Sequence, residues 1–148
     1  MSSFLRIARL DFLPRSADLA LLVLRLWIGC SMLALHGWGK LMSFPEKAAT
    51  FQDPLGIGSH ASMALAIIGE MVCSLLLIAG FLGRLGALGG AATMAVAFFF
   101  YHKAALSGAM SGELAFIYLA AYVALLIAGP GRFSIDAQLD GRRRSGAE

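Results

Sequence analysis

The chain has 148 residues, of which 59% are hydrophobic and only 14% are charged. Soluble domains average roughly 45–50% apolar and about 25% charged residues, so this chain has too few polar residues to coat a soluble globule. Its net charge is +3, and the basic residues sit at the ends of apolar segments, so we expect no nucleic-acid partner. The length suits one domain, and the two cysteines form no C-x-x-C pair.

Four apolar segments predict how the chain crosses a membrane. A membrane-spanning helix needs about 20 mostly apolar residues, and residues 19–38, 61–82, 85–101 and 114–129 approach that requirement. Helices are expected because every backbone polar group in lipid must be bonded internally. The predicted fold class is therefore an all-α, integral membrane four-helix transmembrane bundle, with residues 1–148 forming a single domain.

The distribution of basic residues predicts the orientation. Short loops rich in lysine and arginine stay in the cytoplasm. Eight arginines flank one side of the predicted bundle, three lysines flank the other, and Arg25 lies within the first segment. The two groups are Arg6, Arg9, Arg15, Arg84, Arg132, Arg142, Arg143 and Arg144, against Lys40, Lys47 and Lys103. We therefore expect a multi-pass protein of the bacterial inner (plasma) membrane, with residues 1–18 and 130–148 as cytoplasmic tails.

The first segment carries a polar stripe at helical spacing, which includes Asp18, Arg25 and His36, with Lys40 close by. A charge at the centre of a bilayer costs at least about 2.5–3.5 kcal/mol, so the stripe is expected to face the interior of the bundle. We assign Arg25 a structural role, in which it either extends to the cytoplasmic interface or pairs with Asp18 or Asp136.

Glu70 lies inside the second segment, beside a stripe of small residues. His36 sits roughly 7 Å further from the cytoplasm, and the two side chains lean toward each other along antiparallel helices. We predict that they form a functional pair, with Lys40 and Glu113 at the outer mouth. The candidates for ligand binding or a proton relay are therefore His36, Lys40, Glu70 and Glu113. The structural alternatives are a buried ion pair at Glu70, a polar His36 at the water interface, and a surface ion pair at the mouth.

Small residues predict where the helices pack. The third segment carries a stripe that contains Gly86 and Gly90 in a G-x-x-x-G pattern, so we expect a close helix contact at Gly90. No spacing typical of metal ligands, no phosphate-binding loop and no nucleophile motif occurs, so we assign no metal site and no catalytic residue.

Several short motifs follow one another along the chain: HGWGKL at residues 36–41, Glu70, GFLGR at residues 80–84, and GPGRFSID at residues 129–136. Together they resemble the DoxX family of small bacterial and archaeal membrane proteins. The resemblance implies a four-span bundle and a membrane subunit that works with redox partners. Family members are associated with thiosulfate:quinone oxidoreductase and with membrane complexes that handle thiol or oxidative stress. Arg84 and Asp136, within the last two motifs, are expected to be structural residues of the cytoplasmic face.

Three functions fit these features. The favoured one is a quinone-interacting or redox-complex accessory subunit, with quinone as the candidate cofactor and a redox protein as partner. The second is a non-catalytic membrane assembly protein that binds its partner through loop 42–60 and the arginine-rich tail. The third is a small proton-linked carrier, which would require a homo-oligomer formed through the Gly86 and Gly90 face. In each case the lipid bilayer is the surrounding partner, and whether the chain catalyses a reaction stays open.

Overall fold

The computed structural model describes residues 7–145, with side chains described to residue 141. Within this range the chain forms helices and no β-strand, which confirms the predicted all-α class. The helices are α1 (Ala17–Met42), α2 (Phe44–Lys47, followed by a 3₁₀ turn at Ala48–Thr50), α3 (Ser59–Ala79), α4 (Gly83–Tyr101), α5 (Glu113–Ala128) and α6 (Ile135–Ser145).

Helices α1, α3 and α4, of 26, 21 and 19 residues, are long and apolar enough to cross a membrane. They cover the first three predicted segments, although α1 continues four residues beyond the predicted end of its segment. Helix α5 covers the fourth segment but has 16 residues, which gives a length of about 24 Å. A bilayer core is about 30 Å thick, so length and composition alone assign three spans to the described chain.

The turn between α3 and α4 is closed by groups from both sides. Gly80 ends α3 in the left-handed conformation (φ +66°), and the Phe81 amide donates back to the carbonyl of Leu76. This pairing satisfies carbonyls that a helix end would otherwise leave free. The carboxylate of Asp136, in α6, accepts hydrogen bonds from the amides of Leu82 (2.8 Å) and Gly83 (2.9 Å). Asp136 therefore caps the start of α4.

A second long-range hydrogen bond joins the segment after α5 to the start of α1. The Arg132 amide donates to the carboxylate of Asp18 over 2.9 Å. Because α6 is also bonded to the α3–α4 turn through Asp136, three parts of the chain meet at one end of the bundle. We call this the Arg25 end, after the buried arginine beside it, and the opposite end the Lys40 end.

The core lies where α4 and α5 pack against each other and against α1 and α3. Its largest fully buried side chains are Tyr122, Met32, Met63, Leu77 and Leu125. A Cβ atom added at Gly90 would lie 2.5 Å from the Tyr122 ring, so the predicted close helix contact at Gly90 is confirmed. A larger side chain in place of Gly90 would push α4 and α5 apart.

Three helices each contain a π-helical turn, which the sequence did not predict. These turns are Leu33–Gly37 in α1, Ile68–Val72 in α3 and Val96–Tyr101 in α4. The first two lie against each other, and a Cβ atom added at Gly37 would be only 3.0 Å from the carbonyl oxygen of Glu70. Such turns occur often at functional sites because they change the direction of the side chains that follow.

Candidate functional site

A cavity of about 670 Å³ lies between α1, α3, α4 and α5, beneath the loop formed by residues 51–57. Apolar side chains form most of its wall. The ionisable and hydroxyl-bearing side chains in the wall are a minority: His36, Lys40, Glu70, Tyr118, His102, Tyr101, Cys73, Ser62, Thr93 and Ser111. Volumes of about 300–1,000 Å³ with a small number of converging polar groups are typical of small-molecule sites. The cavity therefore has the size and chemistry of a binding site for an apolar molecule with a polar end.

Lys40 and Glu70 form an ion pair in the wall of this cavity. The Lys40 Nζ atom lies 2.8 Å from Oε1 and 2.6 Å from Oε2 of Glu70. The Glu70 side chain is 7% exposed and the Lys40 side chain 27%, so the carboxylate is buried and the ammonium reaches it from the edge. Each charge compensates the other in an environment where a lone charge would be costly.

Local backbone geometry explains why Lys40 reaches Glu70. Gly37 has no side chain, which brings α1 into contact with the backbone of α3 at Glu70. Lys40 follows Gly37 by three residues and therefore lies on the same face of α1. Its flexible side chain spans the remaining distance to the carboxylate. The HGWGKL motif thus supplies both the close helix contact and the cation.

His36 lies in the cavity wall. Glu70 bonds Lys40, and among the described side chains no hydrogen bond or ion pair joins it to His36, so a shared role of His36 and Glu70 stays a prediction. The His36 ring stands edge-on to the Tyr118 ring, with 6.0 Å between centroids. The Tyr118 hydroxyl in turn donates to Ser31 over 2.8 Å. The π-helical turn at Leu33–Gly37 rotates His36 relative to a regular helix.

Glu113 does not line the cavity, although its neighbours Leu114 and Ala115 do. It is the exposed first residue of α5, where a carboxylate is favoured by the helix dipole. Lys40 bonds Glu70, so the alternative of a surface ion pair between Lys40 and Glu113 is not what the described side chains form. His102 also lines the cavity, and its Nδ1 atom lies 2.9 Å from the Met110 carbonyl oxygen. Among the described side chains, no group of three or more His, Cys, Asp or Glu residues is placed to hold a metal ion.

Arg25 is buried at the opposite end, with 2% exposure, and binds backbone rather than a carboxylate. Its guanidinium donates to the carbonyl oxygens of Leu77 and Ile78, each over 3.0 Å, and to that of Phe133. The predicted pairing with Asp18 or Asp136 is therefore wrong. The carbonyls at the end of α3 attract a cation through the helix dipole, whereas both carboxylates are engaged by amides.

Arg84 also binds backbone at this end of the bundle. Its guanidinium donates to the carbonyl oxygen of Ile127, near the end of α5, over 3.2 Å. This contact ties α4 to α5 beside the α3–α4 turn that Asp136 caps. Arg84 and Asp136 therefore lie together at the Arg25 end, and neither lines the cavity.

The loop above the cavity is fixed by Asp53, which the sequence analysis missed. The Asp53 carboxylate accepts hydrogen bonds from the amides of Ile57 (3.0 Å) and Gly58 (2.7 Å), and from the Ser62 hydroxyl (2.6 Å). These bonds, that of Ser62 foremost, lower the pKa of Asp53 below its usual value. The signal was an Asp–Pro dipeptide followed by two glycines just before α3, a pattern typical of side-chain-stabilised turns.

Comparison with known proteins relates this chain to a family. The family model DoxX matches residues 20–103, which contain most of α1, all of α3 and α4, and the side chains Arg25, His36, Lys40 and Glu70. An uncharacterised protein of Haemophilus influenzae is 32% identical over 110 residues, covering 71% of this chain and 80% of the relative. No solved structure matches the chain.

Proposed function

Because this chain belongs to the DoxX family, we propose that it is a four-span protein of the bacterial inner membrane with both termini in the cytoplasm. The hydrogen bond between the Arg132 amide and Asp18 supports the count. It holds the start of α1 and the segment after α5 at the same end of the bundle, which requires an even number of crossings. Helix α5 then serves as the fourth span, and its short length is accommodated by local thinning of the bilayer.

The cavity is proposed to bind a lipid-soluble quinone, so that the protein acts as an accessory subunit of a membrane redox complex. The observation that carries this proposal is the buried Lys40–Glu70 pair in the wall of a largely apolar cavity. An apolar ring and tail need such a slot, and the carbonyl or hydroxyl groups of the ring need hydrogen-bonding partners within it. A bound quinone supplies electron transfer coupled to proton transfer.

Three residues of the cavity wall take different roles toward the quinone ring: a hydrogen-bond donor, a hydrogen-bond acceptor and a proton-exchanging group. The Lys40 ammonium has three N–H donors, of which the bonds to Glu70 leave capacity for a ring carbonyl. The Glu70 carboxylate accepts a hydrogen bond from a ring hydroxyl. His36, in the same wall, carries an imidazole, a group that can take up and release a proton.

Ligand-dependent stability tests this function. The purified protein is expected to unfold at a higher temperature when a quinone is added, with about 2.7 kcal/mol of stabilisation at a concentration 100 times the Kd. His36→Gln and Glu70→Gln should each reduce the stabilisation, and the double variant should lose little more than either, because groups acting together are not additive. His60→Gln is the matched control, since His60 lies outside the cavity and contacts Phe44 instead.

Two results would count against the proposal. A wild-type protein that co-purifies with no quinone and shows no stability change with any quinone would remove it. If such a protein instead captured a partner through residues 42–60, and the capture survived His36→Gln, the assembly role would replace it. In that case Lys40 and Glu70 would simply join α1 to α3.

A further inference from the structure

Helices α3 and α4 pack tightly over only part of their length. A Cβ atom added at Gly86 would lie 2.8 Å from the Cys73 carbonyl oxygen, and one added at Gly69 would overlap the Thr93 side chain. The Cys73 side chain likewise fills the space beside Gly89. The contacts of Gly86 and Gly89 lie between the Gly69–Thr93 contact and the Arg25 end. Small residues therefore close the two helices together in that half of the bundle.

Toward the Lys40 end the same two helices take different partners. The first part of α3, Ser59–Ile67, packs on Trp38–Met42 of α1 and on the Ala48–Thr50 turn. The last part of α4, Val96–Tyr101, packs on α5. The side chains between them line the cavity and are also exposed on the outer surface: Leu65 (53% exposed), Ile68 (49%) and Ala92. The cavity consequently opens sideways between α3 and α4, through a gap that we call the lateral opening.

The end of the cavity that faces the outer aqueous side is covered. Phe51, Pro54, Leu55 and Ile57 line it from above, and Asp53 bonds this loop to the first turn of α3 through Ser62. The Asp53 carboxylate also holds two amides of the loop itself. The aqueous route therefore passes a fixed, mostly apolar roof, in which Leu55 (45% exposed) and Ile57 (47%) also reach the surface.

From this arrangement we infer that the ligand enters from the hydrocarbon layer through the lateral opening, and that it is a molecule with one apolar tail and an uncharged, hydrogen-bonding head. The inference rests on the proposed function and specifies its ligand and route. The head meets Lys40 and Glu70, whose charges cancel, so a net charge on the ligand finds no counter-ion there. The tail lies in the opening between Leu65, Ile68 and Ala92. An isoprenoid quinone satisfies both conditions, whereas an anionic phospholipid does not.

A bulky residue in the opening tests the route. Ala92→Trp is compared with Ala124→Trp, because Ala124 is also exposed but lies on α5 outside the cavity wall. Binding of a long-tailed quinone and of a tail-less ring analogue is measured for both variants in lipid nanodiscs. Ala92→Trp should weaken binding of the tailed quinone by roughly tenfold or more, because the indole ring would occupy the space that the tail needs. It should leave the tail-less analogue nearly unchanged, and Ala124→Trp should alter neither. Leu65→Trp provides a second variant at the same opening if Ala92→Trp does not fold.

The outcomes separate the route from the function. If Ala92→Trp and Leu65→Trp both bind the tailed quinone normally, or if Asp53→Ala alone speeds its binding, the ligand enters through the roof and the inference is overturned. Retention of an anionic phospholipid that quinone cannot displace would overturn it as well. A wild-type protein that binds the tail-less analogue but not the tailed quinone contradicts the route and leaves the quinone site in place. If neither compound binds the wild-type protein, the proposed function itself fails.

Discussion

Lys40 and Glu70 each depend on the other to remain charged inside the bundle. Removing one leaves an uncompensated charge in a poorly solvated place, so we expect Lys40→Met to lower the free energy of unfolding by about 3 kcal/mol. Replacing both residues with methionine should recover most of that loss, since an apolar pair of similar volume needs no compensation. Denaturant unfolding in mixed micelles, carried out on the wild type, both single variants and the double variant, measures this coupling. If the loss in the double variant equals the sum of the losses in the two single variants, the interaction between Lys40 and Glu70 contributes nothing to stability.

Arg25 shows, also at the scale of single residues, that its structural role could be predicted from the sequence but its hydrogen-bond partners could not. Its charge and depth indicated a structural residue, but its partners are carbonyls of Leu77 and Ile78, more than fifty residues away along the chain. Carboxylate partners for an arginine can be found in a sequence, because they belong to the side chains of particular residues. Backbone carbonyls at a helix end become visible only when the end of α3 and its position beside α1 are known.

At the scale of helices, the contact between α4 and α5 should tolerate no added side chain at Gly90. A Cβ there would meet the Tyr122 ring at 2.5–2.8 Å, and Tyr122 is completely buried. We expect Gly90→Leu to lower stability by about 1–3 kcal/mol through overpacking. Gly39→Leu is the matched control, because a Cβ at Gly39 meets nothing within 4 Å. Equal thermal stability of the two variants in detergent would mean that the α4–α5 contact is looser than described.

The π-helical turns explain why the helices were predicted well and the site only in part. Hydropathy fixes where an apolar helix lies, and the observed bounds follow the predicted segments closely. Side-chain direction depends instead on an uninterrupted rotation of about 100° per residue. The π-helical turn at Leu33–Gly37 adds a residue within that turn and so changes the phase of those that follow. The sequence therefore gathered His36, Lys40 and Glu70 into one region but did not predict the ion pair between Lys40 and Glu70.

At the scale of the whole molecule, the basic residues separate between the two ends of the bundle. Arg84 and Arg132 lie at the Arg25 end, whereas Lys40, Lys47 and Lys103 lie toward the other. Lys40 is neutralised by Glu70, which reduces the free positive charge of its end further. By the positive-inside rule the Arg25 end should face the cytoplasm. This end also carries α6 and the start of α1, so the orientation applies to both tails.

Cysteine labelling in intact cells tests this topology and the number of spans together. With Cys30 and Cys73 replaced by alanine, Thr50→Cys reports on the Lys40 end and Gln138→Cys on the Arg25 end, and both positions are exposed. A membrane-impermeant maleimide should label Thr50→Cys directly, and Gln138→Cys only after the cells are permeabilised. Labelling of Gln138→Cys alone in intact cells would invert the orientation. Labelling of both would mean that α5 does not cross, because three spans place the two positions on the same side. The Arg132–Asp18 hydrogen bond opposes that last result, since it holds the segment after α5 beside the start of α1.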